Sequence, residues 1–329
     1  MLLNFQAIIL ILLFVPRSYS NCKDQKCKTT RIHGLKSSDC FNMNWKEFPK
    51  CLSSDVEVVD LSFNRIRKIS RSDFQKHPHI KYLYLADNLI TNIEENTFED
   101  LDKLETLDLS LNALGKLPPT IFKLPSLKTL YLSQNTNLNL SESIQDASPI
   151  SSPITKLDVS LITSENEPKD FPDFGEMIYL AKLNITGNQF NYIVPKHFAG
   201  LCNLQILDHE NVTAFFKSSC DCWVLNNWLE ERNVKFSKFI CSVSEKDCSS
   251  HQLSEEDSKI YETCLKKLHH VQQSKFLCKI GIGVGITIGI ICIIALIVIW
   301  RWRKNKIQRK HEQVKTVSYD PVENKLLNK

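Results

Sequence analysis

The stretch IKYLYLADNLITNIEENTFEDLDKLETLDLSLNAL, residues 80–114, decides the architecture of this chain. Within it Ile80, Leu83, Leu85, Asn88 and Ile90 recur as Leu104, Leu107, Leu109, Asn112 and Leu114, an offset of 24 residues. A Phe falls at a matching place after each frame, at Phe98 and Phe122. One such set of leucines would read as an ordinary amphipathic segment, so the recurrence carries the argument. Backwards, Val56, Val59, Leu61, Asn64 and Ile66 fit, with Phe74 in the Phe place. Forwards, Leu127, Leu130, Leu132 and Asn135 fit, then Leu180, Leu183, Ile185, Asn188 and Phe190, with Phe198 following. Ile154, Leu157 and Val159 make a weaker copy and Leu204 with Leu207 a terminal one, for about seven turns.

The frame L-x-x-L-x-L-x-x-N-x-L resembles the leucine-rich repeat. The fold class expected is α/β: a solenoid with a curved parallel sheet on one side and an irregular convex side. One turn cannot bury its own apolar face, so turns stack and share a core. The recurring Asn is expected to be buried, its amide satisfying backbone groups that the turn would otherwise strand. Between the fourth and fifth copies the Ser- and Pro-rich run 139–153 stretches the spacing, and Ile162 stands where the fifth Asn should be. Because both flanks keep the frame, this predicts a looped-out back side, not a domain break.

Composition bounds the rest. The chain has 329 residues, 43% hydrophobic, 12 Cys and a formal net charge of +4, enough for one sizeable domain plus two very apolar segments. Residues 1–20 read as a secretory signal peptide, with an apolar run from Ala7 to Val15 before the small Ser18 and Ser20. Cys22, Cys27, Cys40 and Cys51 follow in residues 21–54, ahead of repeats at 55–212. Export favours disulfides over zinc for these cysteines, and they would hold a cover over the open first turn. After the repeats, residues 213–264 carry Cys220-Asp221-Cys222-Trp223, Trp228-Leu229, Cys241, Cys248 and Cys264.

Both cysteine segments resemble the caps of extracellular leucine-rich-repeat proteins. That resemblance implies bridges from Cys220 to Cys241 and from Cys222 to Cys264. Cys202 and Cys248 are then left over, and either a bridge between them or a free Cys202 thiol remains open.

A stem at 265–279 leads to Ile280–Trp300, which has no charged residue. At about 1.5 Å per residue it would span roughly 31 Å, a bilayer core. Arg301, Arg303, Lys304, Lys306, Arg309 and Lys310 follow at once. The expectation is a type I plasma-membrane protein, with the repeats outside and a short basic tail, 301–329, inside. Gly281, Gly285 and Gly289 share one helix face and would allow close helix–helix approach, including homodimerisation. Tyr319 in the tail opens a short motif too common to weigh.

Function should lie between the leucines. Alternate strand residues face opposite ways, so the third, fifth and seventh positions of each frame should face outward. The fifth positions read Asp60, Tyr84, Asp108, Tyr131, Asp158, Asn184 and Asp208, and the third include Tyr82. Tyr82, Tyr84, Asp108 and Tyr131 are the candidate protein-binding residues, since exposed aromatics on a rigid sheet make good anchors. Asn139, Asn184 and Asn211 begin N-x-S/T sequons. Asn184 would put a sugar on the concave face itself.

No nucleophile, metal, phosphate or dinucleotide motif occurs, so neither an enzyme nor a cofactor is expected, and the mild charge argues for no nucleic acid. The resemblance is to extracellular leucine-rich-repeat membrane proteins, small neuronal and synaptic adhesion proteins among them. It implies a protein ligand or co-receptor. The favoured reading is recognition or adhesion through the concave face. The alternatives are an accessory subunit of a receptor or channel in the same membrane, and innate immune recognition.

Overall fold

The computed structural model of the chain describes residues 27–163, 168–175, 177–248 and 253–317. The signal-peptide reading, Cys22 and Tyr319 lie outside the described residues. In chain order the strands are β1 (Lys28–Ile32), β2 (Leu35–Asp39), β3 (Val58–Asp60), β4 (Lys68–Ile69), β5 (Tyr82–Tyr84), β6 (Asn92–Ile93) and β7 (Thr106–Asp108). They continue with β8 (Thr129–Tyr131), β9 (Lys156–Asp158), β10 (Lys182–Asn184), β11 (Gln189–Ile193), β12 (Ile206–Asp208) and β13 (Thr213–Phe216). The main helices are α1 (Leu140–Ala147), α2 (Asp221–Glu231) and α3 (Glu255–Val317).

The repeat frame becomes a ladder. Among the described residues one sheet runs β1-β2-β3-β5-β7-β8-β9-β10-β12, parallel except for the β1–β2 hairpin. Every turn contributes the same three positions in register: Val58 faces Tyr82, Tyr82 faces Thr106, and Thr106 faces Thr129. The middle residue of each strand (Val59, Leu83, Leu107, Leu130, Leu157, Leu183) points inward and is fully buried. Each such side chain contributes roughly 1.5–3 kcal/mol on burial. Behind the sheet the recurring Phe74 and Phe98 pack with ring centres 5.5 Å apart, and Phe48 of the N-terminal segment meets Phe74 edge-on at 5.0 Å.

The asparagines bind turn to turn. Asn112 donates to Leu85 O and Leu109 O, both at 3.0 Å, and its Oδ1 accepts from Ile90 N at 3.0 Å. Asn88 and Asn135 repeat the pattern one turn either side. Asn64 extends it into the N-terminal cap, accepting from Met43 N and Trp45 N and donating to Cys40 O.

At the fifth turn Ile162 interrupts this series, and Lys169 bonds other carbonyls of the fourth and fifth turns. Its ammonium donates to the carbonyls of Thr136, Leu138 and Ile162 at 2.8, 3.0 and 3.3 Å. Part of the back side is also more regular than the composition of 139–153 suggests. Residues 140–147 form α1, because Asn139 caps it through Glu142 N and because Leu140, Ser143, Ile144 and Ala147 all turn inward at helical spacing. The frame itself passes through unbroken, since β9 pairs with both β8 and β10.

The N-terminal cap is a hairpin whose β2 continues the parallel sheet onto β3. Its turn, His33-Gly34, has positive φ at both residues (49° and 85°), the geometry a tight two-residue hairpin requires. Cys27 and Cys40 close it, and Cys51 is also disulfide-bonded.

The C-terminal cap corrects the expected bridges. The pairs are Cys220–Cys248, Cys222–Cys241 and Cys202–Cys264, not Cys220–Cys241 and Cys222–Cys264, and the thiol of Cys202 is not free. The reason is the inner face of α2. Asn226, one turn after Cys222, holds Phe239 from both sides: its Nδ2 donates to Phe239 O and its Oδ1 accepts from Phe239 N, each at 2.9 Å. This clamp lays residues 239–241 along α2 beside Cys222. Cys220, before the helix, is left to meet Cys248.

The chain separates into two units, residues 1–268 and 269–329. The start of α3 belongs to the first. There Cys264 ties to Cys202 in the last repeat, and Tyr261 packs edge-on against Trp228 at 5.6 Å. The second unit is the remainder of α3 and the residues beyond it. Among the described residues it holds one helical stretch long and apolar enough to cross a membrane, Gly285–Arg309, with mean hydropathy 2.2.

Candidate functional site: the outward face of the sheet

Three-residue strands stacked in register turn a sequence pattern into rows. The fifth-position row reads Asp39, Asp60, Tyr84, Asp108, Tyr131, Asp158, Asn184, Asp208 from neighbour to neighbour. Asp108 therefore lies between Tyr84 and Tyr131, with Tyr82 two residues before Tyr84 on the same strand. All four predicted binding residues come together, and each is partly exposed.

The face is narrower than alternation alone suggests. The seventh-position serines Ser62, Ser110 and Ser160 are buried, as are Val58 and Thr106 of the third row. The carboxylates of the fifth row reach back and draw the serines in: Asp60, Asp108 and Asp158 each accept from the backbone N–H two residues on, at 2.9, 2.9 and 3.0 Å. So these carboxylates shape the end of the strand as well as charging its surface. Val58 and Thr106 both stand beside Tyr82 in the register, and the tyrosines stay partly exposed.

Electrostatics set the two halves apart. Burial pushes the Asp108 carboxyl above its ordinary range, its hydrogen bonds to Ser110 oppose this, and the negative Asp158 and Asp60 reinforce it. Burial likewise raises the Tyr84 phenol, helped by Tyr131, Tyr82, Asp108 and Asp60. Further along, cations answer the carboxylates. Lys182 pairs with Asp208 at 2.8 Å, and Lys156 donates to the Tyr131 hydroxyl at 2.8 Å. Lys156 occupies a third position of the frame, yet only the folded ladder shows that it reaches the neighbouring Tyr.

Sequence reading passed over one further row. The residue before the ladder position of each turn has positive φ: Phe63, Asp87, Leu111, Gln134 and Gly187 ahead of an Asn, and Leu161 ahead of Ile162. Of these Phe63, Leu111 and Leu161 are exposed, and Phe63 meets Phe41 with ring centres 4.9 Å apart. The signal was present at three turns as a large apolar residue just ahead of the ladder position, Phe63 and Leu111 before Asn and Leu161 before Ile162.

The sequons fall in different settings. Asn139 and Asn211 are exposed, the first as the cap of α1. Asn184 is half-buried in the fifth row, its Nδ2 donating to Asp158 Oδ2 at 3.0 Å. Gly281, Gly285 and Gly289 have open space where a Cβ would stand. No group of His, Cys, Asp or Glu suited to hold a metal occurs among the described residues.

A sequence profile described as "Leucine rich repeat" matches residues 54–114 and 102–146. Toll-like receptor 2 type-2 of Gallus gallus is 30% identical over 204 residues, 61% of this chain and 26% of the relative. Platelet glycoprotein Ib alpha chain of Mus musculus is 33% identical over 138 residues, 42% of this chain and 18% of the relative. The chain thus spans about a quarter or less of the length of these relatives. Among solved structures, the crystal structure of the mouse RP105/MD-1 complex aligns with 59% of this chain and 31% of its own, at 24% identity and a TM-score of 0.46.

Proposed function

Because this chain is a leucine-rich-repeat protein of the extracellular, cysteine-capped type, we propose that it is a cell-surface receptor that recognises a protein through the tyrosine end of its sheet. The observation that carries this is the in-register cluster of Tyr82, Tyr84 and Tyr131 around Asp108. Tyrosine on a rigid sheet offers large contact area at small entropic loss, and a desolvated carboxylate beside it gives a partner's donor a strong acceptor. The relatives fit the reading: one is by name a Toll-like receptor, the other a platelet surface glycoprotein. Innate immune recognition is one form it can take. The apolar stretch 280–300, followed by its basic run, would anchor the protein with the repeats outside.

A second reading, an accessory subunit acting within its own membrane, is favoured by one observation. Gly281, Gly285 and Gly289 present an open helix face four residues apart. Proximity labelling on living mixed cultures separates the two. The full chain is fused at its outer end to a labelling enzyme and expressed in half the cells. Labelled proteins contributed only by neighbouring cells, lost when Tyr82, Tyr84 and Tyr131 become Ala, support recognition. Labels confined to the same cell, insensitive to those changes and lost on Gly285→Leu, would establish the accessory role instead.

A further inference from the structure

We propose that Asn184 carries an N-linked oligosaccharide, which covers the β9–β12 end of the outward face and confines docking to the tyrosine end. The modification stands on the sequon and its geometry. The confinement rests on the recognition reading above.

The sequon Asn184-Ile185-Thr186 runs out of β10. Ile185 is buried, so Asn184 and Thr186 flank it on the outward side. Asn184 Oδ1 accepts from Thr186 N at 3.0 Å, and one Nδ2 hydrogen goes to Asp158 Oδ2 at 3.0 Å. An amide nitrogen has two hydrogens, and the second makes no hydrogen bond among the described residues. A sugar can replace it while both existing bonds persist. Asn188, four residues on, shows the contrast: it is fully buried and gives its amide hydrogens to Val159 O and Ile185 O, both at 2.8 Å. The outward row thus holds an asparagine that can bear a substituent, and the ladder row does not.

The chemistry balances without a redox partner. Nδ2 forms a bond to the anomeric carbon of an oligosaccharide carried on a lipid diphosphate. The carbon–oxygen bond to the diphosphate breaks, and the amide proton leaves with the lipid diphosphate. Transfer to the chain before the turns stack removes half-burial as an obstacle.

Position decides the consequence. Neighbouring strands lie about 4.8 Å apart, so a sugar on β10 overhangs β9 and β12. Lys156, Asp158 and Asp208 stand on those two strands, and Lys182 on β10 itself. Tyr84 is four strands away along the order β5-β7-β8-β9-β10, roughly 19 Å at that spacing. Asp158, Asn184 and Asp208 are thereby covered, Tyr131 on β8 stands two strands away, roughly 10 Å, at the edge of the cover, and Asp60, Tyr84 and Asp108 stay open.

The test uses the full chain expressed in mammalian cells. Peptide-N-glycosidase in heavy-oxygen water converts a glycosylated Asn to labelled Asp, and trypsin releases residues 183–196 apart from the other two sequons. Labelled Asp at 184 is expected. Unlabelled Asn184 beside labelled Asn139 or Asn211 overturns the proposal. Absence of label at all three overturns it too, and counts against export of the repeats. For confinement, the mixed-culture labelling is repeated with Lys182→Glu, which should leave the signal unchanged, whereas the tyrosine changes should lower it about tenfold or more. An equal loss with Lys182→Glu overturns confinement. Indifference to both sets of changes overturns it through the recognition reading, leaving the mass spectrum to decide the sugar alone.

Discussion

The Lys156 ammonium donates to the phenol oxygen of Tyr131 at 2.8 Å and stands 4.6 Å from the centre of its ring. The two residues lie on neighbouring strands, β9 and β8, and their side chains cross the ladder to meet. One arm of the tyrosine cluster is therefore oriented before any partner arrives, which lowers the entropy lost on binding. The cation–π part should contribute about 0.5–1 kcal/mol and the hydrogen bond a similar amount. Thermal unfolding of Lys156→Met, Tyr131→Phe and the double variant should show each single change destabilising by less than about 2 kcal/mol, with clear non-additivity. Strict additivity would show that the contact stabilises nothing.

The asparagine ladder and Lys169 should differ in magnitude. Asn112→Ala strands Ile90 N in the core and takes one of two side-chain donors from Leu85 O and from Leu109 O, which keep Asn88 and Asn135. With about 1–3 kcal/mol for the stranded Ile90 N and about 0.5–1.5 kcal/mol for each of the two other bonds lost, the loss should be about 2–6 kcal/mol. Lys169→Met removes donors to three carbonyls nearer the surface, where water can replace some of them. Its loss should be smaller, about 1–2 kcal/mol. Denaturant unfolding of the two variants checks the order.

Asp108 makes a prediction with a sign. Its folded pKa is raised, chiefly by burial, so the native state holds the proton more tightly than the unfolded chain does. Stability contributed by this residue is therefore highest below the ordinary carboxylate range and declines as pH climbs through the shifted value. Asp108→Asn keeps an acceptor for Ser110 N and removes the charge. The variant should melt higher than the native chain at neutral pH, with the gap closing as pH falls below the ordinary carboxylate range. A gap independent of pH would mean that charge is not the cause.

Disulfide mapping by mass spectrometry without reduction should yield peptides joining Cys202 to Cys264, Cys220 to Cys248 and Cys222 to Cys241. The first bridge has a sequence separation of 62 residues, and the loop-entropy estimate gives it about 4 kcal/mol. Replacing Cys202 and Cys264 with Ser should lower stability by that order. Detection of a Cys222–Cys264 peptide would contradict the cap described above.

The repeat frame by itself determined the solenoid, the buried leucines, the Asn ladder and the meeting of Tyr82, Tyr84, Asp108 and Tyr131. A parallel stack with one residue set per turn converts sequence offset directly into spatial neighbourhood, so equal positions in the frame become neighbours in the sheet. Where the frame lapses, sequence lost its purchase. The bonds of Lys169 to the carbonyls of Thr136, Leu138 and Ile162, and α1 forming within a Ser- and Pro-rich run, depend on neighbours that the frame does not specify. The C-terminal bridges were decided by tertiary structure as well. Cysteine spacing is compatible with several pairings, and the amide clamp of Asn226 on Phe239, with Trp223 donating to Val243 O, brings Cys222 beside Cys241. The same holds for the reach of Lys156 across to Tyr131. Backbone register is periodic and therefore written in the sequence, whereas where a long side chain ends is set by the neighbours it meets.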